Sequence, residues 1–188
     1  VVALMINVDV PASPSEAQIR EAEINLHKIY NEIRSRDQTA TLFLNQDVTS
    51  SRIRLTLAQY TVLSNMEFAV SGRHSNDSLS SLPLAKQQEL IKKSIDIAKA
   101  SKVCGLTEVN VLGFFPPGFD QNEDTYEAID KLGIKYDAGF QAGIVYAPGH
   151  EDDSWPYQVE GYDFYALPTS SINLSGKKMP LYDIDMQK

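Results

Sequence analysis

"FFPPGFDQNEDTYEAIDKLGIKYDAG", residues Phe114 to Gly139, carries an apolar strand end into a capped helix through Pro116, Pro117 and Gly118. Each proline presets its own φ and bars its predecessor from helical backbone, so the corner fixes the direction in which the chain leaves the strand. After the corner, Asp120 and Glu123 suit the first turn of a helix, Tyr126, Ile129 and Leu132 its buried face, and Gly133 its C-terminal cap. "IKYDAG" then reads as a second strand. Strand, helix and strand in so few residues form a crossover unit, whose two strands lie parallel.

The same alternation extends in both directions. "VVALMINV" is a β-branched run closed by Pro11, and Ser13, Pro14, Ser15 and Glu16 predict a capping-box helix start with proline at its first position. Ile19, Ala22, Leu26, Ile29, Tyr30 and Ile33 follow at helical spacing. "TATLFL" and "MEFAV" read as strands with a short helix, "LAQYTVLSNM", between them. A helix from near Pro83 carries Leu90, Ile91, Ile95 and Ala98 and stops at Gly105, and "EVNVLGFF" leads into the corner. Beyond it, "AGIVYA" and "YDFYALP" are expected as strands, and residues 171–188 form a weakly patterned tail. Helices outside parallel strands imply an α/β barrel or an open doubly wound sheet, in one domain spanning residues 1–188.

Composition bounds the function. A net charge of -8 with no basic cluster argues against nucleic acid, and no apolar run reaches the roughly 20 residues that cross a bilayer. The start inside a strand predicts an excised or processed domain. The single Cys104 makes no internal disulfide and reads as a small core residue at a helix end. No HExxH, paired CxxC, GxSxG, Walker loop or GxGxxG occurs, which removes most motif-defined enzyme classes.

A site in such a fold lies in the loops after the carboxyl ends of the strands. Those positions hold Asp9, then Asn45 and Asp47, then His74 and Asp77, then Phe115 to Phe119, with His150, Asp152, Asp153 and Trp155 later. Carboxylates and an imidazole on converging loops are the ligand types of zinc or a harder metal. Each also has a plainer reading: Asp9 and Asp77 as turn acceptors, His74 as a solvated turn histidine, "EDDSW" as an acidic loop, His27 as a helix-packing residue. His150 has no partner assignable from sequence, and Trp155 beside the acids suits stacking on a sugar ring.

Taken together, the chain resembles the polysaccharide deacetylases (NodB-homology domain, carbohydrate esterase family four). "FFPPGFDQNEDTYEAIDKLGIKYDAG" is similar to that family's Phe-Arg-Pro-Pro corner. "ALMINVDVP" stands where its Thr-Phe-Asp-Asp-Gly motif belongs, "ATLFLN" resembles its Ala-Thr-Phe-Phe-Val strand, "EFAVSGRHSNDSLSSLP" its His-Thr-x-x-His segment, and "DDSW" its acidic-tryptophan motif. The similarity runs from Val2 to Ser171. It implies a deformed (β/α) barrel with mostly parallel strands, and metal-dependent removal of acetyl groups from N-acetylated sugars, a hydrolysis of non-peptide carbon-nitrogen bonds.

By that resemblance Asp9 is the catalytic base or a metal ligand and His74 a ligand for zinc, cobalt or nickel, a site that needs a third ligand, Asp77 or His150. Phe115, Pro116, Pro117, Phe119, Asp153 and Trp155 are the expected substrate-binding residues, and the partner is a carbohydrate polymer or an N-acetyl sugar. The sequence departs from the pattern at several positions. One Asp stands where two are expected, the His pair is reduced to His74, Phe115 replaces the arginine that orients the base, and no Leu-x-His motif follows. The alternative reading is a catalytically inactive homologue, a carbohydrate-binding or structural domain at the cell surface. Sequons at Asn76 and Asn173 and the family's envelope substrates predict an extracytoplasmic setting.

Overall fold

The computed structural model describes residues 4–8, 13–50, 53, 66–74, 76–100, 110–174 and 176–180. Seven strands form one sheet: β1 (Leu4–Val8), β2 (Ala40–Leu44), β3 (Met66–Val70), β4 (Gly113–Phe114), β5 (Tyr136–Asp137), β6 (Tyr157–Gln158) and β7 (Tyr165–Ala166). Their order is β1-β2-β3-β4-β5-β7-β6, and every pairing is parallel except that of β6 with β7. Helices α1 (Glu16–Ser35), α2 (Gln46–Ser50), α3 (Leu84–Ala100) and α4 (Glu123–Lys131) alternate with the strands. This is the mostly parallel α/β architecture that the crossover unit predicts; among the described residues the order is open at β1 and β6.

One line of register crosses six strands: Val8, Leu44, Val70, Phe114, Asp137 and Ala166 stand side by side, all buried. Because side chains alternate across a strand, this row shares one face. Val8 and Leu44 pack with Leu26 and Tyr30 of α1, while Val70, Phe114 and Ala166 pack with Ile91 of α3 and Ile129 of α4. The opposite face holds a smaller cluster of Phe43, Ala69 and Ala138, with Met5, Phe115 and Tyr136 against it.

Local chemistry explains the helix starts and corrects two of them. Ser15 is the N-cap of α1 in a capping box with Gln18, so Pro14 precedes the cap instead of opening the helix. Asn122 caps α4 with Thr125, and Glu123 and Asp124 fill the first turn; Asp120 lies outside it. "AGIVYA" is a turn and not a strand: Gln141 bridges Val145, and Gly143 takes φ 74. The tail also differs from expectation, since β8 (Ser171–Leu174) and β9 (Lys177–Pro180) form an antiparallel hairpin. Asp9, Cys104, the Gly105 stop and the proposed helix at 57–65 lie outside the described residues, and Met66 opens β3. No described helix is long and apolar enough to cross a membrane.

Candidate functional site

The corner is wedged between two loops at the carboxyl ends of the strands. Phe115 N–H donates to the Val70 carbonyl at 3.0 Å, continuing the β3–β4 pairing past the strand end. A Cβ on Gly139 would lie 2.2 Å from Pro116 Cγ, and one on Gly72 would lie 2.6 Å from Pro117 Cγ. Both glycines therefore exist to let a proline ring lie on the backbone. Pro116 thus seats on the segment after β5, and Pro117 on the loop after β3.

The next turn, Pro117–Phe119, aims two rings. Phe119 adopts φ 59, a left-handed conformation rare outside glycine. Its ring meets Phe115 edge-on at 5.0 Å, and Phe115 lies 5.7 Å from Phe43. Phe115, half-buried, thus extends the apolar cluster of the inner face up to the strand ends. Its ring offers no hydrogen bond to a carboxylate.

His74, on the loop after β3, meets Asp47 in the first turn of α2, which follows β2 directly. Asp47 Oδ2 pairs with His74 Nδ1, and their side chains are 14% and 26% exposed. Nε2 of His74 has no partner among the described residues. Asp77 supports the loop: its Oδ2 accepts the N–H groups of Arg73 at 2.6 Å and His74 at 2.9 Å. Asp120 ties this loop to the corner by accepting from Ser78 Oγ at 2.8 Å and from Ser80. Desolvation opposes ionisation of Asp120, yet the bonds from Ser80 and Ser78 outweigh it and hold the carboxyl below its usual range.

Two further groups stand apart. Asp137, 0% exposed, accepts the Gly139 N–H through Oδ1 at 2.7 Å, while its Oδ2 has no hydrogen-bond partner among the described residues. Burial pushes its carboxyl up to about 7, against the opposing Gly139 bond. The Gln121 amide, also buried and unpartnered, touches the same Gly139. In the acidic loop, His150 Nδ1 pairs with Asp153 at 2.6 Å and its ring stacks on Tyr157 at 3.9 Å. Trp155 is 68% exposed and makes no ring contact among the described residues.

The expected residues therefore gather in part. Phe115, Pro116, Pro117, Phe119, His74 and Asp77 belong to one set of loops, while Asp153 is engaged with His150. Asp47 is one of the strand-end residues of the sequence, with nothing beside it there to mark it as a site group. The signal that could have found it is the adjacency of β2 and β3, which brings their following loops together. For a metal, the described residues do not fit: no three His, Cys, Asp or Glu side chains among them group as a ligand set. One oxygen of Asp77 is already committed to two backbone N–H groups.

No protein-family model and no curated protein sequence matches the chain. Solved structures do. A family 4 carbohydrate esterase from Streptomyces lividans, in complex with acetate, superposes with a TM-score of 0.56 and 16% identity, over 75% of this chain and 62% of that one. A carbohydrate esterase family four pseudoenzyme from Bacillus anthracis gives 0.54 and 19%, over 70% and 40%. A mutant of that pseudoenzyme is described as having restored enzymatic activity. A 4-alpha-glucanotransferase from Thermococcus litoralis gives 0.67 and 14%, over 89% and 27%. The chain thus spans less than two thirds of each of these proteins, and likeness at such identities shows the fold.

Proposed function

We propose that this chain, whose fold is that of carbohydrate esterase family four, acts on acetylated sugar polymers as a divergent deacetylase-like hydrolase. The observation that carries the reading is the His74–Asp47 pair, set at the carboxyl ends of β3 and β2 and tied by Asp120 to the corner that bears the Phe115 and Phe119 rings. Aromatic faces suit the apolar faces of a pyranose, and an imidazole with one nitrogen occupied and the other unpartnered suits proton transfer or metal ligation. In this reading Asp9 and His74 are the residues that would hold zinc, cobalt or nickel, whose chemistry is to polarise the acetyl carbonyl and acidify water.

A second reading has its own support. Phe115 is packed into the inner apolar cluster and cannot orient a catalytic carboxylate, and the described residues lack a three-ligand set. A non-hydrolytic carbohydrate-binding domain uses the same rings without the chemistry, and a pseudoenzyme is among the solved structures that share this fold. An extracytoplasmic or cell-surface setting is part of both readings, and the sequons at Asn76 and Asn173 support it.

The two are separated by acetate release from N-acetylated oligosaccharides, with metal content and sugar binding measured on the same preparation. Release that requires bound metal and is lost in Asp9→Ala and His74→Ala supports the hydrolase. Sugar binding without release or metal, weakened by Phe119→Ala, supports the binding domain. Neither release nor binding, in folded protein, overturns both.

A further inference from the structure

We infer that Asp47 is a positioning residue which fixes His74 as the Nδ1–H tautomer, so that His74 meets its ligand through Nε2. This rests on the reading above only in taking His74 as a site residue. A neutral imidazole carries one proton, and the nitrogen that bears it is set by the hydrogen bond available to it. Asp47 Oδ2 faces Nδ1, and a carboxylate only accepts, so Nδ1 is the donor and the lone pair lies on Nε2.

The surroundings of Asp47 are built to hold it. The buried Asn45 accepts the Val48 N–H through its Oδ1 at 2.9 Å, pinning the start of α2 on either side of Asp47. Gln46, also buried, donates through Nε2 to Ser94 Oγ at 3.0 Å and to the Leu90 carbonyl at 3.1 Å, which fastens α2 to α3. The Gln46 backbone N–H reaches the Gly72 carbonyl at 3.3 Å, and Ser94 Oγ reaches the same oxygen at 3.4 Å. Ser71 N–H donates to the Leu44 carbonyl at 2.9 Å. Gly72 lies under Pro117, and His74 is held from below by Asp77. Asp47, in the first turn of α2, and His74, on the loop after β3, therefore stand on two segments joined by backbone and side-chain bonds alike, an arrangement that loses much of its purpose if the pair is an incidental surface contact. The His150–Asp153 pair differs in kind, since it forms between residues three apart within a single loop and joins no two segments.

The test is the tautomer itself, read from two-bond proton–nitrogen correlations of the imidazoles in nitrogen-15-labelled protein, free of metal and sugar, at a pH where the rings are neutral. His74 is expected as Nδ1–H, against the Nε2–H form that free imidazoles favour. Asp47→Ala is expected to move His74 to Nε2–H, while Asp47→Asn, whose carbonyl still accepts, retains Nδ1–H. Acetate release or sugar binding is expected to fall ~10–100-fold in Asp47→Ala and far less in Asp47→Asn. An Nε2–H tautomer in the wild-type spectrum, which needs no variant to fold, overturns the inference, as does an unchanged tautomer in folded Asp47→Ala. An Nδ1–H tautomer in a protein that neither releases acetate nor binds sugar leaves the inference standing and removes only the function.

Discussion

Asp137 is the residue that the sheet's register makes conspicuous. It stands in a row otherwise made of Val8, Leu44, Val70, Phe114 and Ala166, with no exposure and one oxygen unpartnered among the described residues. Burial raises its carboxyl from 3.8 to about 7, against the Gly139 bond that pulls the other way. The folded state thus binds its proton more tightly than the unfolded state, and unfolding releases the proton between those two values. The stability this group allows is complete below ~4 and declines as pH rises towards ~7, a loss on the order of a few kcal/mol. Asn cannot ionise, yet keeps the carbonyl that accepts the Gly139 N–H. Asp137→Asn is expected to equal the wild type near pH 4 and to exceed it by that amount near pH 8, as measured by urea unfolding at each pH. Parallel curves for the two proteins across this range would show that Asp137 does not titrate there. The sequence displays a Tyr-Asp pair at this point but hides the row, because register depends on partners far along the chain.

At the scale of elements, the corner was the most legible feature because its chemistry is local. Two prolines and a glycine dictate backbone direction without help from elsewhere, and the Asn122 and Ser15 caps are written within a few residues of the helices they start. Elements whose form depends on distant partners are less legible in the sequence. "AGIVYA" has strand composition, yet Gly143 lies against Lys178 of β9 and the segment folds into a turn. The β8–β9 hairpin is organised by a loop in which Asn173 Oδ1 accepts the Gly176 N–H, and its Lys178 reaches Asp152 at 2.9 Å. The corner's two proline seats lead to paired predictions. Gly139→Ala would force its Cβ against Pro116 Cγ and Cδ and the buried Gln121, so a loss of ~1–3 kcal/mol in urea unfolding is expected. Gly72→Ala meets Pro117 and Asp77 instead, so it is expected to shift the amide resonances of Arg73 and His74 as well as lower stability. An alanine accepted at either site with unchanged stability would mean that the proline rings are not seated there.

The molecule as a whole separates its fold from its chemistry. The alternation of strands and helices and the parallel pairing were legible because they follow from periodicity and chirality. The partnership of Asp47 with His74 was not, because it joins side chains on segments that follow neighbouring strands. Folds of this kind host a sugar esterase, a pseudoenzyme and a glucanotransferase, so the residues at the strand ends, not the sheet, must decide activity. The sheet does decide how the chain unfolds. Its helix-side face carries two apolar clusters, one around Val8, Leu26, Tyr30 and Leu44 and the other around Phe114, Ile91, Ile129 and Phe164. Leu44 of the first and Val70 of the second are paired in one ladder, so neither cluster can be exposed without opening the sheet that supports the other. A single cooperative transition is therefore expected. Trp155 is too exposed to report it, whereas Tyr30 in the first cluster and Tyr126 and Tyr157 on the second are buried or half-buried. Tyrosine near-ultraviolet and backbone far-ultraviolet circular dichroism should trace superimposable urea curves. Curves that separate, with the tyrosine signal lost in two steps, would divide the chain between β2 and β3 and make each cluster a folding unit of its own.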